Sequence, residues 1–95
     1  MNATQDDDVA TVEEAVPAGS AILRAVRILE AIARQDTPPQ LSEICREVDL
    51  PKPTVYRILT TLEHAGLIGR EPGSKRYACA SRLNDLAGQT LLRSP

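Results

Sequence analysis

The sequence predicts a mainly helical domain that carries one small β-hairpin, and three observations support this fold class. Apolar residues recur at helical spacing in four segments. The short segment Asp49-Leu50-Pro51 separates two of these helices by three residues, which is typical of a tight turn between helices. Two short predicted strands flank Glu71-Pro72-Gly73-Ser74, where Pro and Gly occupy the positions that a type II turn favours.

The composition indicates one small domain with a tail, since the chain has 95 residues and a mass of 10.3 kDa. Its formal charge of −2 hides an asymmetry, because residues 1–19 contain five acidic residues and no Lys or Arg. Residues 20–95 therefore carry all 11 basic residues, nine of them Arg, against eight acidic ones. An acidic tail followed by an Arg-rich body favours a domain that binds a polyanion.

Several classes of protein are excluded by what the sequence lacks. It has no apolar run of about 18 residues and no secretory signal pattern, so we expect a cytoplasmic protein without a membrane partner. The two Cys and the single His show no zinc-ligand spacing and no catalytic set, and no Gly-rich phosphate loop is present. We therefore expect no catalytic residue, no metal, no cofactor and no enzyme activity. With two Tyr and no Phe or Trp, we expect a core of Leu, Ile, Val and Ala.

The first predicted helix runs from about Ala21 to Arg34, with Ser20 as its N-cap. Residues 1–19 show no periodic apolar face, so we expect them to be disordered. One helix face contains Ile22, Val26, Leu29 and Ala33, and the apolar surface is widened by Ala25, Ile28 and Ile32. Two interpretations stay open for this wide stripe: a well-buried helix, or a helix with a second surface used in dimerisation.

A helix–turn–helix pair follows the Pro38-Pro39 break. Ser42 is expected to cap a second helix over residues 43–48, and Asp49 is expected to adopt the left-handed conformation in the turn. The third helix spans about residues 51–65 and ends at Gly66. Prolines in its first turn cost no hydrogen bond, because the first amides of a helix have no partner in the helix.

The remaining elements complete a winged helix-turn-helix pattern. Strands are expected over residues 67–70 and 75–79, joined by the Pro-Gly turn. Ser81 is expected to cap a last helix, whose apolar stripe comprises Leu83, Leu86, Ala87, Thr90 and Leu91. The outer face of the third helix carries hydrogen-bond donors and methyl groups but no acid, which suits the major groove of DNA: Pro53, Thr54, Arg57, Thr60, Thr61 and His64.

Several segments also resemble a known family. The most specific is Leu50-Pro51-Lys52-Pro53-Thr54-Val55-Tyr56-Arg57-Ile58-Leu59-Thr60-Thr61-Leu62, accompanied by residues 23–32, 41–44, 65–68 and 76–77. Over about residues 20–92 the chain resembles the amino-terminal domain of IclR-type bacterial transcriptional regulators. One departure is Pro53, since the family usually has a small hydroxyl residue or Ala there. The other is that family members continue into a larger effector-binding domain, so we expect this chain to be the DNA-binding part of a longer protein.

The resemblance implies binding of double-stranded operator DNA by a homodimer that associates through its first and last helices. It also implies that a small-molecule effector acts only through a domain outside this chain. The expected organisation is an acidic tail over residues 1–19, a winged helix-turn-helix domain over 20–80 and a linker helix over 81–95. The recognition helix, about residues 51–65, would enter the major groove, and the wing, residues 70–76, would lie on the backbone or the minor groove.

The candidate DNA contacts combine residues of the recognition helix with those of the wing and the second helix: Ser42, Lys52, Pro53, Thr54, Tyr56, Arg57, Thr61, Arg70, Lys75 and Arg76. Tyr56 lies at the edge of the outer face, where its hydroxyl would contact a phosphate or its ring would pack on the first helix. The basic wing would contact DNA or act as a charged hairpin edge that discourages aggregation. An alternative function is a winged-helix module that binds protein. A one-domain ArsR- or MarR-type sensor is disfavoured, because the sequence lacks both a metal cluster and a second pair of dimerisation helices.

Overall fold

The computed structural model describes residues 20–93, and within them the order of elements is the expected one. The expected acidic tail over residues 1–19 lies outside the described residues, as do residues 94–95. The elements, numbered here in chain order, are α1 (Ala21–Ala33), α2 (Leu41–Val48), α3 (Lys52–His64), β1 (Ile68–Arg70), β2 (Tyr77–Cys79) and α4 (Ser81–Arg93).

The hydrophobic core lies where α1, α2 and α3 meet the inner face of the hairpin. Its buried members are Ile28, Ile32, Ile44, Val55, Leu59, Leu62, Ile68 and Tyr77. The expectation of a purely aliphatic core is wrong, because Tyr77 is 1% exposed and is among the largest fully buried side chains. Its hydroxyl accepts hydrogen bonds from Arg70, which offset the cost of burying a polar atom.

Helix α1 buries the side that carries Ile28 and Ile32, and not the face of Ile22 and Val26 that the sequence pattern indicated. The buried residues are Ile28, Ala31 and Ile32, whereas Ile22 is 79% exposed and Val26 is 44% exposed. At 100° per residue the exposed pair lies about 120–160° from Ile28 around the helix. The interpretation of α1 as a well-buried helix is therefore wrong for this chain alone. The helix has a second apolar surface that nothing in the described residues covers.

Three expected helix caps differ in the structure. Helix α2 begins at Leu41, two residues before the expected start, and its N-cap is Gln40, which forms a capping box with Glu43. Ser42 therefore lies in the first turn of α2 and does not cap it. A reciprocal Gln-Glu pair satisfies two amides that a helix N-terminus leaves without partners, which explains why the longer helix is preferred. Ser20 is the N-cap residue of α1 but makes no side-chain cap bond, and Ser81 is already inside α4.

The turn between α2 and α3 confirms the expected chemistry. Asp49 adopts the left-handed conformation at φ 56° and ψ 51°, and its amide donates to the Cys45 carbonyl oxygen at 3.0 Å. Helix α3 begins directly after Pro51 and ends at His64. Gly66 has φ 78°, and the amides of Gly66 and Leu67 donate to carbonyl oxygens in the last turn of α3. This is the glycine-dependent helix end that the sequence predicts.

The wing is a two-stranded antiparallel hairpin in which Arg70 lies opposite Tyr77. Gly73 has φ 86°, as the expected type II turn requires, and Lys75 is also left-handed at φ 60°. Because Lys75 belongs to this turn, β2 begins at Tyr77, two residues later than expected. The hairpin is held to the α1–α2 loop, since the Tyr77 amide donates to the Pro39 carbonyl oxygen at 2.9 Å.

Helix α4 follows the hairpin and has no buried residue. Arg82 Nη1 donates to the carbonyl oxygen of Ala65, which ties the first turn of α4 to the end of α3 at 2.9 Å. The expected stripe on α4 is thus largely exposed, with Leu86 at 57% and Leu91 at 74%. None of the helices described between residues 20 and 93 is long and apolar enough to cross a membrane.

Candidate nucleic-acid interface

The outer face of α3 presents the first group of expected contact residues together. Lys52, Pro53 and Arg57 are exposed, and Thr54 is half-buried. Neither the Lys52 nor the Arg57 side chain forms a hydrogen bond or ion pair with any residue in the described part of the chain. A basic side chain without an internal partner keeps all its donors for a ligand, and guanidinium geometry suits a guanine edge or a phosphate.

The threonines of α3 are partly committed to their own helix. The Thr60 hydroxyl donates to the Tyr56 carbonyl oxygen at 2.9 Å, and the Thr61 hydroxyl donates to the Arg57 carbonyl oxygen at 3.2 Å. Such back-bonding fixes the rotamer of a helical Thr. The donor of Thr61 is thus already used, while its exposed side chain still offers the methyl group for an apolar contact.

Ser42 lies on the exposed surface at the first turn of α2, before the turn that leads into α3. Since Gln40 and Glu43 form the cap, the Ser42 hydroxyl is not needed for it. The first turn of a helix favours anions through its unpaired amides. The structure therefore leaves Ser42 available for a phosphate and removes the competing capping role.

The basic residues of the wing differ in how far the protein already uses them. Lys75 is exposed at the hairpin tip and forms no hydrogen bond through its side chain within residues 20–93. Arg76 is half-buried, donates from Nη1 to the Pro38 carbonyl oxygen at 2.8 Å and lies 3.6 Å from Glu43 Oε1. The structure thus gives Arg76 a role in joining the hairpin to the α1–α2 loop, which the charge pattern did not indicate.

Arg70 contacts both tyrosines of the chain. Its Nε and Nη2 groups donate to the Tyr77 hydroxyl at 3.0 and 2.9 Å, and its Cζ atom lies 5.9 Å from the centre of the Tyr56 ring. The hydrogen bond with Tyr77 is the main cause of a raised pKa of Arg70, and nearby Glu63 adds to it. Tyr56 therefore has a neighbour in the wing, which neither sequence interpretation of Tyr56 included.

Tyr77 is the residue of this region that the sequence analysis missed. Tyr77 and Arg70 stand at the two ends of the turn segment, seven residues apart. The expected turn over residues 71–74 would have placed Lys75 opposite Arg70, so the Arg70–Tyr77 pairing follows only from the longer turn that the structure shows. Among the described residues there is no group of three or more potential metal ligands, and Cys45 and Cys79 are free thiols.

Comparison with known proteins identifies this arrangement. Residues 21–72 match the model of the IclR helix-turn-helix domain, which is more than half of the chain. The chain belongs to the IclR family. Its helix-turn-helix is thus a DNA-binding domain of the kind that transcriptional regulators carry. The winged helix-turn-helix fold and the family resemblance predicted from the sequence are both confirmed.

Relatives and solved structures agree with this assignment. The probable transcriptional regulator SauR of Cupriavidus necator is 41% identical over 75 residues, which cover 79% of this chain and 30% of that protein. An IclR transcriptional regulator from Alicyclobacillus acidocaldarius is 28% identical with a TM-score of 0.69, covering 74% of this chain and 28% of its own. An IclR homologue from Microbacterium hydrocarbonoxydans, solved with 4-hydroxybenzoate, is 30% identical with a TM-score of 0.69, covering 78% and 31%.

These matches span only about 30% of the length of the IclR-family relatives. The matched relatives carry the names of transcriptional regulators, which agrees with the expectation that the chain is not an enzyme. None of the matches described here supports the alternative of a protein-interaction module.

Proposed function

We propose that this chain binds double-stranded operator DNA in a sequence-specific manner, with α3 in the major groove and the wing against the backbone or the minor groove. The observation that carries the proposal is the outer face of α3, where the exposed side chains of Lys52 and Arg57 have no partner among the described residues and no acidic side chain interrupts the surface. The only acid on α3, Glu63, lies towards Arg70 and the wing.

The proposed contacts follow from what each side chain has left to offer. Arg57 reads a base or a phosphate, Lys52 and Ser42 contact phosphates, and Thr54 and Thr61 offer apolar contacts to thymine methyl groups. Pro53 supplies shape alone, because it has no side-chain donor. Lys75 extends the contact from the wing tip, and Arg76 contributes mainly by holding the wing in place.

The first experiment measures binding of the 95-residue chain to a labelled duplex from the DNA upstream of its own gene, with a scrambled duplex as competitor. Arg57→Ala should weaken binding about 5- to 150-fold if Arg57 reads a base. Arg46→Ala is the matched control, because Arg46 is an exposed arginine on α2 that borders a cleft with Glu43 and Glu47. The control should change affinity less than about twofold, since acidic neighbours make that surface unsuited to phosphate.

Two outcomes would refute the proposal. Absence of binding by the unaltered chain at low salt would contradict DNA binding itself. Equal losses for Arg57→Ala and Arg46→Ala would show that binding depends on overall charge and not on the α3 surface.

We further propose that two copies associate through α1 and α4. Both helices expose apolar side chains: Ile22 and Val26 on α1, and Leu86, Leu91 and Leu92 on α4. Exposed apolar surface of this kind favours association in water. Such a dimer would place two recognition helices about 34 Å apart on a pseudo-palindromic site.

Sedimentation tests the dimer directly. Ile22→Asp adds a charge to the exposed face of α1 without touching the core, so it should convert dimers to monomers and leave the fold intact. A chain that sediments as a monomer at every concentration would refute association of this isolated chain.

The domain boundaries remain part of the proposal. Residues 20–80 form the DNA-binding unit, α4 acts as a linker helix, and residues 1–19 form the acidic tail. The matched IclR-family relatives extend well beyond the matched segment, and we propose that any effector response of the whole protein resides in sequence beyond this chain. A cytoplasmic location fits a regulator that must reach DNA.

A further inference from the structure

Arg70 occupies the junction between the recognition helix and the wing. It stands at the end of β1, directly opposite Tyr77 on β2. Its Cζ atom lies 5.1 Å from the Tyr77 ring centre and 5.9 Å from the Tyr56 ring centre. Both distances fall within the range in which a guanidinium is attracted to an aromatic face.

The two tyrosines differ in how firmly the fold holds them. Tyr77 is 1% exposed, and its amide is bonded to the Pro39 carbonyl oxygen. Tyr56 is 49% exposed on the edge of α3. Arg70 therefore connects a buried ring in the core to an exposed ring beside the proposed DNA surface.

The donors of Arg70 are already directed inward. A guanidinium has five N–H groups, and two of those of Arg70 point at the Tyr77 hydroxyl. Lys75 at the wing tip differs, because its ammonium group has no hydrogen-bond partner in the described chain. A cation held between two rings is poorly placed to follow a phosphate, whereas a free lysine is well placed to do so.

We propose that Arg70 is a positioning residue for DNA recognition, which orders the Tyr56 ring on α3 and holds the wing at a set distance from that helix. In this role Arg70 does not itself neutralise a phosphate. This inference rests on the proposed function, since it assigns the Tyr56 hydroxyl to a phosphate of the bound DNA. A ring that is ordered before binding loses less side-chain freedom on binding. Loss of that order should weaken binding about three- to tenfold.

The test uses the full 95-residue chain and a fluorescently labelled duplex from the DNA upstream of its gene, titrated over a series of KCl concentrations. Arg70→Met removes the charge and the hydrogen bonds, whereas Arg70→Lys keeps the charge but not the planar group. Lys75→Met is the matched control that removes one free wing charge. Tyr56→Phe removes only the proposed phosphate-binding hydroxyl, and the Arg70→Met/Tyr56→Phe double variant completes a cycle.

A positioning role predicts a specific pattern. Both Arg70 variants should weaken binding about three- to tenfold with an unchanged salt slope, whereas Lys75→Met should lower the slope by about 0.9. In the Tyr56→Phe background the Arg70→Met change should cost less than it does alone, because the group through which Arg70 acts is already missing. A residue that only stabilised the fold would cost the same in both backgrounds.

The free protein provides a second measurement. Tyr56 and Tyr77 are the only aromatic residues besides His64, so their ring signals are readily followed by NMR. Arg70→Met should shift the Tyr56 ring signals while the amide signals of the core remain dispersed. Unchanged Tyr56 signals would overturn the inference, and collapsed dispersion would show unfolding, in which case Arg70→Lys carries the binding test.

The possible failures are distinguishable. If Arg70→Met lowers the salt slope as Lys75→Met does, and Arg70→Lys restores binding, then Arg70 contacts phosphate and the inference is wrong while DNA binding stands. If the unaltered chain binds no duplex at low salt, the proposed function fails and the inference fails with it.

Discussion

The packing of α3 against the core gives a stability prediction that can be worked from the structure. Leu59 is 0% exposed and belongs to the buried cluster, so Leu59→Ala removes three carbon groups from a closed interior. At about 0.8 kcal/mol per buried methylene the transfer cost alone is about 2.4 kcal/mol. The cavity left behind brings the expected loss to about 3–5 kcal/mol.

That loss is large for a domain of this size. Typical stabilities of about 0.05–0.15 kcal/mol per residue correspond to about 4–11 kcal/mol for residues 20–93. Leu59→Ala should therefore remove about a quarter or more of the free energy of unfolding. The matched control is Leu86→Ala on α4, the same substitution at a side chain that is 57% exposed. In the monomer it should change the free energy of unfolding by less than about 0.5 kcal/mol, because only the proposed dimer would bury this side chain.

The assay is urea unfolding followed by the helical circular dichroism signal at several protein concentrations. Equal midpoints for the two variants would refute the assignment of Leu59 to the core. A Leu86→Ala midpoint that falls well below that of the unaltered chain, with a concentration dependence, would mean that α4 is buried between copies. That outcome would favour the proposed dimer over an isolated monomer.

Three further predictions concern the turn, the cap and the salt dependence. Asp49 has φ 56°, a backbone conformation that glycine adopts easily and a β-branched residue does not. Asp49→Gly should therefore leave the melting temperature unchanged or raise it, whereas Asp49→Val should lower the free energy of unfolding by about 1–2 kcal/mol. Equal effects of the two substitutions would contradict the left-handed turn. Glu43→Ala should lower the free energy of unfolding by about 1 kcal/mol in a thermal melt, since it removes the capping-box partner of Gln40 and the acid beside Arg76. An unchanged melt would show that the cap does not stabilise α2. Lys52→Ala should lower the salt slope of DNA binding by about 0.9 with sequence preference retained; an unchanged slope would remove Lys52 from the phosphate contacts.

Much of the helix-turn-helix could be predicted because its determinants are local. The left-handed Asp49, the helix start after Pro51 and the glycine end at Gly66 each depend on the conformational limits of one residue and its immediate neighbours. The start of α2 was predicted wrongly for an equally local reason. Ser42 is a good cap residue, but Gln40 and Glu43 together satisfy more amides than Ser42 alone.

The order of elements, the turn chemistry and the acid-free face of α3 were determined by the sequence alone, since each depends on short-range geometry and helical periodicity. Only the tertiary structure decided which side of α1 is buried, because Ile28 and Ile22 are equally apolar and their burial depends on where α2 and α3 lie. It also decided that Tyr77 enters the core and that Arg70 bridges to Tyr56. Those contacts join segments that meet only when the hairpin folds back onto the helices, and no local preference of a residue specifies such a meeting.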